Sequence, residues 1–302
     1  MPEPDPTSTM PAAGPTAATL LRTSLDEHVA RAQAADGDLR DPELEWDSHP
    51  MYVGFRRLST TLTVCRPLLD DAVEALDIEV RWFLGDLRSV RELDLVRRRV
   101  AAAVSEGALR DSGPASLDQA LAALRRDALA RATQAWTSQR HADLYAALGR
   151  LYGTSVILPE AAAPAAEVFR RLTVNEVRRL RTRAELPSTV SGADLEQRFD
   201  HLRGAARRVR CASSLLSQVD APTAARVGRR LKKLVKLLRQ QRDSTLTRAC
   251  LERLRDGGLD PALADPVARL IRQEEVAIAR VAKKLPTAVT RAVSADRLLE
   301  GR

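Results

Sequence analysis

The sequence predicts an all-α protein, and three observations lead to this prediction. The good helix formers Ala, Leu, Arg and Glu dominate the 302 residues, whereas aromatic residues make up only 3%. Apolar residues recur at alternating spacings of four and three over most of the chain, as they do on one face of a helix. Clusters of Pro and Gly interrupt this pattern at intervals. We therefore expect about eight to ten long helices and no sheet.

In chain order, the elements begin with a tail rich in Pro and Ala, and we expect residues 1–18 to be disordered. Residues 19–302 form the helical part, with a first half of about 19–155 and a second half of about 156–302. The first half has an apolar stripe at Met51, Phe55, Leu58, Leu62, Cys65 and Leu69. The second half has two, at Leu202, Ala206, Val209, Ser213 and Leu216 and at Leu231, Leu234, Val235 and Leu238. Helix breaks are expected near 107–114, 159–164, 187–192, 220–222 and 257–266.

The three cysteines, Cys65, Cys211 and Cys250, are far apart in the sequence and form no CxxC pair. This pattern favours reduced thiols over a disulfide framework or a metal site, and it predicts a cytoplasmic protein. No apolar run approaches the roughly 20 residues of a membrane span, and no signal peptide is recognisable. We therefore expect no membrane association, no metal and no cofactor.

The net charge of +8 is distributed unevenly along the chain. Residues 1–48 carry a net charge of −7, whereas residues 49–302 carry +15. Within residues 203–242, twelve basic residues stand against a single acid, Asp220. A solvated helix face usually mixes both signs, because like charges at i,i+4 repel each other. This excess of positive charge predicts a bound anion that relieves the repulsion.

Helix periodicity places these charges on defined faces. Arg203, Arg207 and Arg210 share one face of a helix, with Arg208 beside them. Two further groups of cations lie on the helix that follows and on the helix that precedes. They are Arg229, Lys232, Lys233, Lys236 and Arg239 on the following helix, and Arg179 and Arg183 among those on the preceding one. If these helices pack as neighbours, their basic faces form one groove.

The chain also resembles itself at a distance of about 150 residues. Residues 49–59 (HPMYVGFRRLS) align with residues 200–210 (DHLRGAARRVR). Residues 87–94 (LRSVRELD) align with residues 238–245 (LRQQRDST). Each pair of motifs belongs to a helix–turn–helix unit, so the repeat predicts two pseudo-symmetric helical bundles.

These motifs resemble those of the CHAD family, whose name stands for conserved histidine α-helical domain. In that family each half has a helix that begins His-x-(Met/Leu)-Arg and continues with (Arg/Lys)-Arg-x-Arg. A second helix ends in Leu-Gly-x-x-(Arg/His)-Asp. Residues 138–145 (SQRHADLY) match the linking region, and the resemblance extends from about Thr19 to Leu299. It implies two bundles around a basic central cavity and binding of inorganic polyphosphate, since some members are linked to polyphosphate granules.

The resemblance also implies which residues bind, and the match is better in the second half. His49, Arg56 and Arg57 fit the family pattern in the first half, but Tyr52 stands where the family usually has arginine. In the second half His201 lies one residue beyond the histidine position, and the arginine run is complete. Together with the cations that periodicity places on the basic faces, the predicted binding residues are His49, Arg56, Arg57, Arg88, Arg91, Arg179, Arg183, His201, Arg203, Arg207, Arg208, Arg210, Arg229, Lys232, Lys233, Lys236, Arg239 and Arg242, of which Arg88 and Arg239 stand where the family usually has glycine. We expect the binding surface to lie mainly in the second half.

Arginine suits a polyanion because its planar guanidinium stays charged and makes bidentate hydrogen bonds to phosphate oxygens. Motifs of catalysis are missing, since the chain has no GxGxxG or GxxxxGK[ST] phosphate loop, no HExxH and no G-x-S-x-G. The sequence therefore predicts binding without catalysis, and the resemblance implies polyphosphate granules as a further partner.

Two other functions stay open. A basic groove also attracts DNA or RNA, although neither a recognition helix nor an alternation of aromatic and basic residues is recognisable. The chain could instead be a granule-associated scaffold that acts through protein contacts, in which case its arginines reflect composition alone. The acidic residues within 26–47 raise a further question, whether this segment screens the basic surface.

Overall fold

The computed structural model describes residues 14–37, 49–105, 113–153, 156–185, 193–258 and 260–299. Within these ranges the chain forms α-helices and short 3-10 turns, with no β-strand. Extended pairing in that part of the chain consists of two isolated antiparallel bridges, Thr16 with Pro164 and Leu69 with Ile157. The predicted all-α class is confirmed.

Ten α-helices follow one another in the described ranges. The first five are α1 (Ala17–Gly37), α2 (His49–Val64), α3 (Ala72–Ser105), α4 (Gly113–Trp136) and α5 (Gln139–Gly153). The others are α6 (Ala165–Ala184), α7 (Ala193–Leu216), α8 (Ala221–Asp256), α9 (Ala264–Val293) and the single turn α10 (Asp296–Leu299). Nine of these helices are long, as the periodicity predicts.

The predicted apolar stripe on α2 is the buried face of this helix. Met51, Phe55, Leu58 and Leu62 are each at most 1% exposed. The helix packs against α1, α3 and α7, and the predicted stripe of α7 is buried in the same core. Full burial of one leucine side chain stabilises the fold by about 1.5–3 kcal/mol, so these two stripes hold α2 against α7.

The two longest helices, α3 and α8, have 34 and 36 residues, which corresponds to about 50 Å of helix each. They pack against each other, and they also pack against α2 and α7 respectively. Both continue beyond the main core into a smaller one, where Val96 and Val100 of α3 meet Leu251 of α8 and side chains of α4 and α9. This arrangement brings the middle of α3 and of α8, with their arginines, next to α2 and α7.

The predicted helix breaks agree with the structure where the structure describes them. Asp220 caps α8, because its carboxylate accepts a hydrogen bond from the Thr223 backbone N–H at 3.1 Å. A 3-10 turn occupies Pro159–Ala162, and the break at 257–266 coincides with the end of α8 and the start of α9. The break at 187–192 and most of that at 107–114 lie outside the described residues.

Backbone hydrogen bonds hold the segment that joins the two predicted halves. The N–H of Asp70 donates to the carbonyl of Val156, and the N–H of Leu158 donates to that of Leu68, both at 2.9 Å. One connected core takes side chains from both halves. The pseudo-symmetry of the halves and the boundary near residue 155 stay predictions. Residues 1–13 of the predicted tail lie outside the described residues, and α1 begins at Ala17.

The three cysteines carry free thiols. Burial raises the pKa of the Cys65 thiol well above its usual value, and it raises that of Cys211 to about 11. Both thiols are therefore protonated at neutral pH and pack as small apolar groups. In the part of the chain that the structure describes, no helix is long and apolar enough to cross a bilayer.

Candidate anion-binding site

Tyr52 lies among arginines that come from several helices. It is on the first turn of α2, and it is 3% exposed. The guanidinium carbons of Arg56 and Arg91 lie 5.3 Å and 5.1 Å from the centre of its ring. Both distances are within the range of a cation–π interaction, so the tyrosine ring is bound by one cation from its own helix and one from α3.

Six arginines from four helices lie around this tyrosine, and we call them the arginine cluster. They are Arg56 of α2, Arg88 and Arg91 of α3, Arg203 and Arg207 of α7, and Arg242 of α8. The packing of α2 on α7 and of α3 on α8 brings them together. The cluster therefore takes three arginines from each predicted half.

Arg207 is one of the uncompensated charges in the cluster. Its side chain is open to solvent, yet protein atoms surround it. This burial, followed by repulsion from Arg56 and then from Arg242 and Arg88, lowers its pKa to about 10, although Tyr52 opposes the shift. None of the groups that act on it is a carboxylate.

Arg203 and Arg91 experience the same repulsion. Burial first, and then the charges of Arg242 and Arg207, lower the pKa of Arg203 to about 10. Burial and the charge of Arg56 lower the pKa of Arg91. Arginine remains protonated at neutral pH despite such shifts, so all three side chains keep their positive charge in the cluster.

The cluster also acts on the Tyr52 hydroxyl. Burial by itself would raise the pKa of this phenol, but the positive charges of Arg242, Arg56, Arg88 and Arg207 together lower it below its usual value of 10. A positive field strong enough to favour a phenolate will also favour a phosphate oxygen at the same place.

Two of the six arginines have carboxylate partners that limit their charge. Arg242 donates to the carboxylate of Glu92 at 2.6 Å. Arg203 forms an ion pair with Asp200 and donates to the Gln241 side-chain oxygen at 2.6 Å. These contacts position the two guanidinium groups and connect α7 and α8 with α3.

The other arginines of the cluster have no carboxylate partner among the described residues. Arg91 contacts Nδ1 of His49, and because a guanidinium can only donate, this ring nitrogen is the acceptor. Arg56, Arg88 and Arg207 form neither a hydrogen bond nor an ion pair through their side chains to any described residue. Three uncompensated guanidinium groups next to one tyrosine hydroxyl form a site that an anion can complete.

Several predicted binding residues lie away from the cluster. Arg179 and Arg208 both pair with the buried carboxylate of Glu176, at 2.6 Å and 2.9 Å, so their charge is compensated inside the protein. Arg57 points to another side of α2, where its charge and that of Arg31 act on His28 of α1.

The remaining predicted residues are at the surface. Arg210 lines a groove between α7 and α8. Arg183 and His201 are exposed, as is the whole set of predicted cations on α8. In that set Arg239 lies 3.6 Å from Asp243. Arg229, Lys232, Lys233 and Lys236 form no ion pair with any residue that the structure describes.

Two features of this site are absent from the motif pattern. Tyr52 stands there only as a missing arginine, whereas in the structure it lies among the arginines of the cluster. Glu92 and Gln241, which position Arg242 and Arg203, were not predicted either. Glu92 follows Arg91 directly, so a carboxylate within the repeated motif was the available signal. Which half contributes more to binding stays a prediction.

Comparison with known proteins identifies the family. A family model, the CHAD domain, matches residues 23–252. Among solved structures, PptA from Streptomyces chartreusis is similar, with 22% sequence identity, a TM-score of 0.74, and coverage of 91% of this chain and 99% of that chain. The CHAD domain from the plant Ricinus communis is also similar, with 18% identity, a TM-score of 0.71, and coverage of 96% and 95%.

At these identities the likeness to the two solved structures shows the fold alone. A search of curated proteins finds no match. The family model, in contrast, covers more than half of the sequence and includes every residue of the arginine cluster. The chain therefore belongs to the CHAD domain family.

Proposed function

We propose that this protein binds inorganic polyphosphate in the arginine cluster and does not change it chemically. The observation that carries the proposal is the group of uncompensated guanidiniums, Arg56, Arg88 and Arg207, around the Tyr52 hydroxyl. Each guanidinium can make a bidentate hydrogen bond to phosphate oxygens. An anion with closely repeated charges satisfies several of them at once, which a single carboxylate cannot do.

Selectivity for polyphosphate over nucleic acid has its own support. Single-stranded RNA or DNA binds best where aromatic rings are free to stack on bases. The aromatic ring in the cluster, Tyr52, is buried and already packed against two arginines. Trp82 lies beneath Arg140, whose guanidinium carbon is 4.1 Å from its ring centre. Phosphate groups without bases therefore fit this surface better.

The proposal includes a cytoplasmic location and association with polyphosphate granules, since a binder of the polymer would concentrate where the polymer accumulates. A scaffold that acts only through protein contacts would make the cluster irrelevant to function. Loss of granule association in a variant with a neutralised cluster would favour the polyphosphate proposal, and unchanged association would favour the scaffold.

The decisive test is titration of the purified protein with long-chain polyphosphate at two salt concentrations, with RNA and DNA of equal phosphate content as competitors. We expect binding that weakens with salt, because counterions are released, and that resists both competitors. The double variant Arg56→Gln, Arg207→Gln should lose this binding. A double variant on α9, Lys283→Gln, Lys284→Gln, should keep it, because these exposed lysines lie outside the cluster. Full competition by RNA would contradict the proposal.

A further inference from the structure

A groove between α7 and α8 is the feature that the proposed site leaves unused. It has a volume of about 300 Å³ and is open to solvent. Small residues of α8, Ala221, Ala224, Ala225 and Gly228, form one side of it together with Leu231. Arg210 and the serines at 213, 214 and 217 form the α7 side.

This groove is a continuation of the arginine cluster. On α7, Arg203, Arg207, Arg210 and Ser214 follow one another at spacings of four and three, so they share one face of the helix. Ser217, in the turn directly after α7, continues this face, because its N–H still donates to the Ser213 carbonyl at 3.0 Å. The face runs for 14 residues, or about 21 Å. Its first part lies in the cluster and its last part lines the groove.

A matching face runs along α8 in the opposite direction. Arg242, Arg239, Lys232, Gly228 and Ala221 are separated in turn by three, seven, four and seven residues, so they also share one face. Since α7 and α8 pack against each other, Ala221 and Gly228 of this face line the groove opposite Arg210 and Ser214. Lys232 follows Gly228 one turn further along α8. The two faces therefore define a path between the cluster and the small-residue groove.

Positive charge along this path is available for a ligand. Arg210 and Lys232 are exposed, and neither makes an ion pair or a hydrogen bond through its side chain to a described residue. The hydroxyl of Ser217 donates to the Ser214 carbonyl at 2.6 Å, and that of Ser213 to the Ala224 carbonyl at 3.2 Å. The Ser214 hydroxyl has no such bond to a described residue and is free to donate.

Gly228 keeps the path open. It lies in the interior of α8, where glycine disfavours the helix relative to almost any other residue. A Cβ atom added there would meet no atom within 4 Å, so packing does not require the glycine. Its effect is to leave space where any larger side chain would project into the groove.

We propose that the α7–α8 groove is the path by which a long polyphosphate chain leaves the arginine cluster, which makes the protein selective for long chains over short ones. The proposal rests on the proposed function, since the cluster must hold one segment of the chain first. A short oligomer occupies the cluster alone. A longer chain adds contacts with Arg210, Lys232 and the Ser214 hydroxyl.

The first test is steric and leaves the charge unchanged. In Gly228→Leu, the new side chain would occupy the groove, and the helix should be no less stable. We expect binding of long-chain polyphosphate to weaken several-fold, with binding of tripolyphosphate unchanged. Gly149→Leu on α5 is the matched control, because Gly149 is also an exposed helical glycine with no atom within 4 Å of an added Cβ.

The second test removes charge along the path. In nucleic-acid binders, loss of one phosphate contact lowers the slope of log affinity against log salt by about one. By analogy, the double variant Arg210→Gln, Lys232→Gln should lower this slope by about two for long-chain polyphosphate. The slope for tripolyphosphate should stay unchanged. Equal behaviour of Gly228→Leu and Gly149→Leu with the long chain would overturn the path but leave the cluster intact. Failure of the unaltered protein to bind either ligand would overturn the proposed function itself.

Discussion

Replacement of Arg207 by Gln should weaken polyphosphate binding and, in the absence of ligand, stabilise the protein. Burial, followed by the charges of three neighbouring arginines, lowers the pKa of Arg207 to about 10. Because the folded pKa lies below the unfolded one, charging this group costs more in the folded chain. The resulting destabilisation is complete below the folded pKa and disappears as pH rises through the unfolded pKa.

The size of the stability effect follows from this shift. At 1.36 kcal/mol per pKa unit the shift corresponds to about 3 kcal/mol, and because the side chain is open to solvent, screening reduces this to about 1 kcal/mol. In a chain of this length the midpoint of thermal unfolding should rise by about 2 °C. Differential scanning calorimetry at neutral pH measures it.

The binding effect has the opposite sign. One lost charge-assisted contact should weaken long-chain polyphosphate binding by about 1.5–3 kcal/mol, or roughly tenfold to a hundredfold. Arg272→Gln on α9 is the matched control, since Arg272 is exposed and has no ion pair with a described residue. An Arg207→Gln protein that unfolds at a lower temperature than the control, or that binds as tightly, would refute the reasoning.

Three further predictions concern other buried groups. Glu176→Gln should destabilise the fold by about 3 kcal/mol, because it removes the buried partner of Arg179 and Arg208. Urea unfolding measures this loss. A loss below about 0.5 kcal/mol, the usual range of surface changes, would contradict the prediction. Tyr52 should ionise below its usual pKa of 10. Between the lowered pKa and 10, the wild type should gain stability over Tyr52→Phe as pH rises, whereas polyphosphate binding should weaken because the phenolate neutralises an arginine. Phenolate absorbance and calorimetry test this, and ionisation of Tyr52 at its usual pKa would contradict it. Burial, with the charges of two arginines, lowers the pKa of His28 to about 4. As pH falls from 6.5 toward 4, the free energy of unfolding of the wild type should therefore decrease by up to about 3 kcal/mol relative to His28→Leu. Urea unfolding across that pH range measures it, and parallel stability curves for the two proteins would contradict it.

The helices were predictable because their signal is local. The stripe from Met51 to Leu62 repeats at helical spacing, and each of its members is buried against α7 or its neighbours. Asp220 and the proline that follows it also act locally, as the cap and first turn of α8. Prediction of such features needs only the residues within a few turns of the chain.

The candidate site was predictable in part. The family resemblance pointed to Arg56, Arg91, Arg207 and Arg242, which the structure brings to one place. Periodicity also put Arg207 and Arg210 on one face of α7, and both side chains are exposed, Arg207 in the cluster and Arg210 at the groove. The central position of Tyr52 was not predictable from its own helix, because three of the four arginines that act on it belong to α3, α7 and α8.

Arg207 and Arg208 separate what the sequence by itself determined from what only the tertiary structure decided. The sequence determined that both are helical, and that a large positive charge gathers between residues 203 and 242. The tertiary structure decided that Arg208 is compensated by Glu176, 32 residues earlier in the chain, while Arg207 meets three arginines and no carboxylate. The physical reason is that a helix rotates by about 100° per residue, so adjacent side chains meet different neighbouring helices, and pairing depends on distances that local periodicity does not contain.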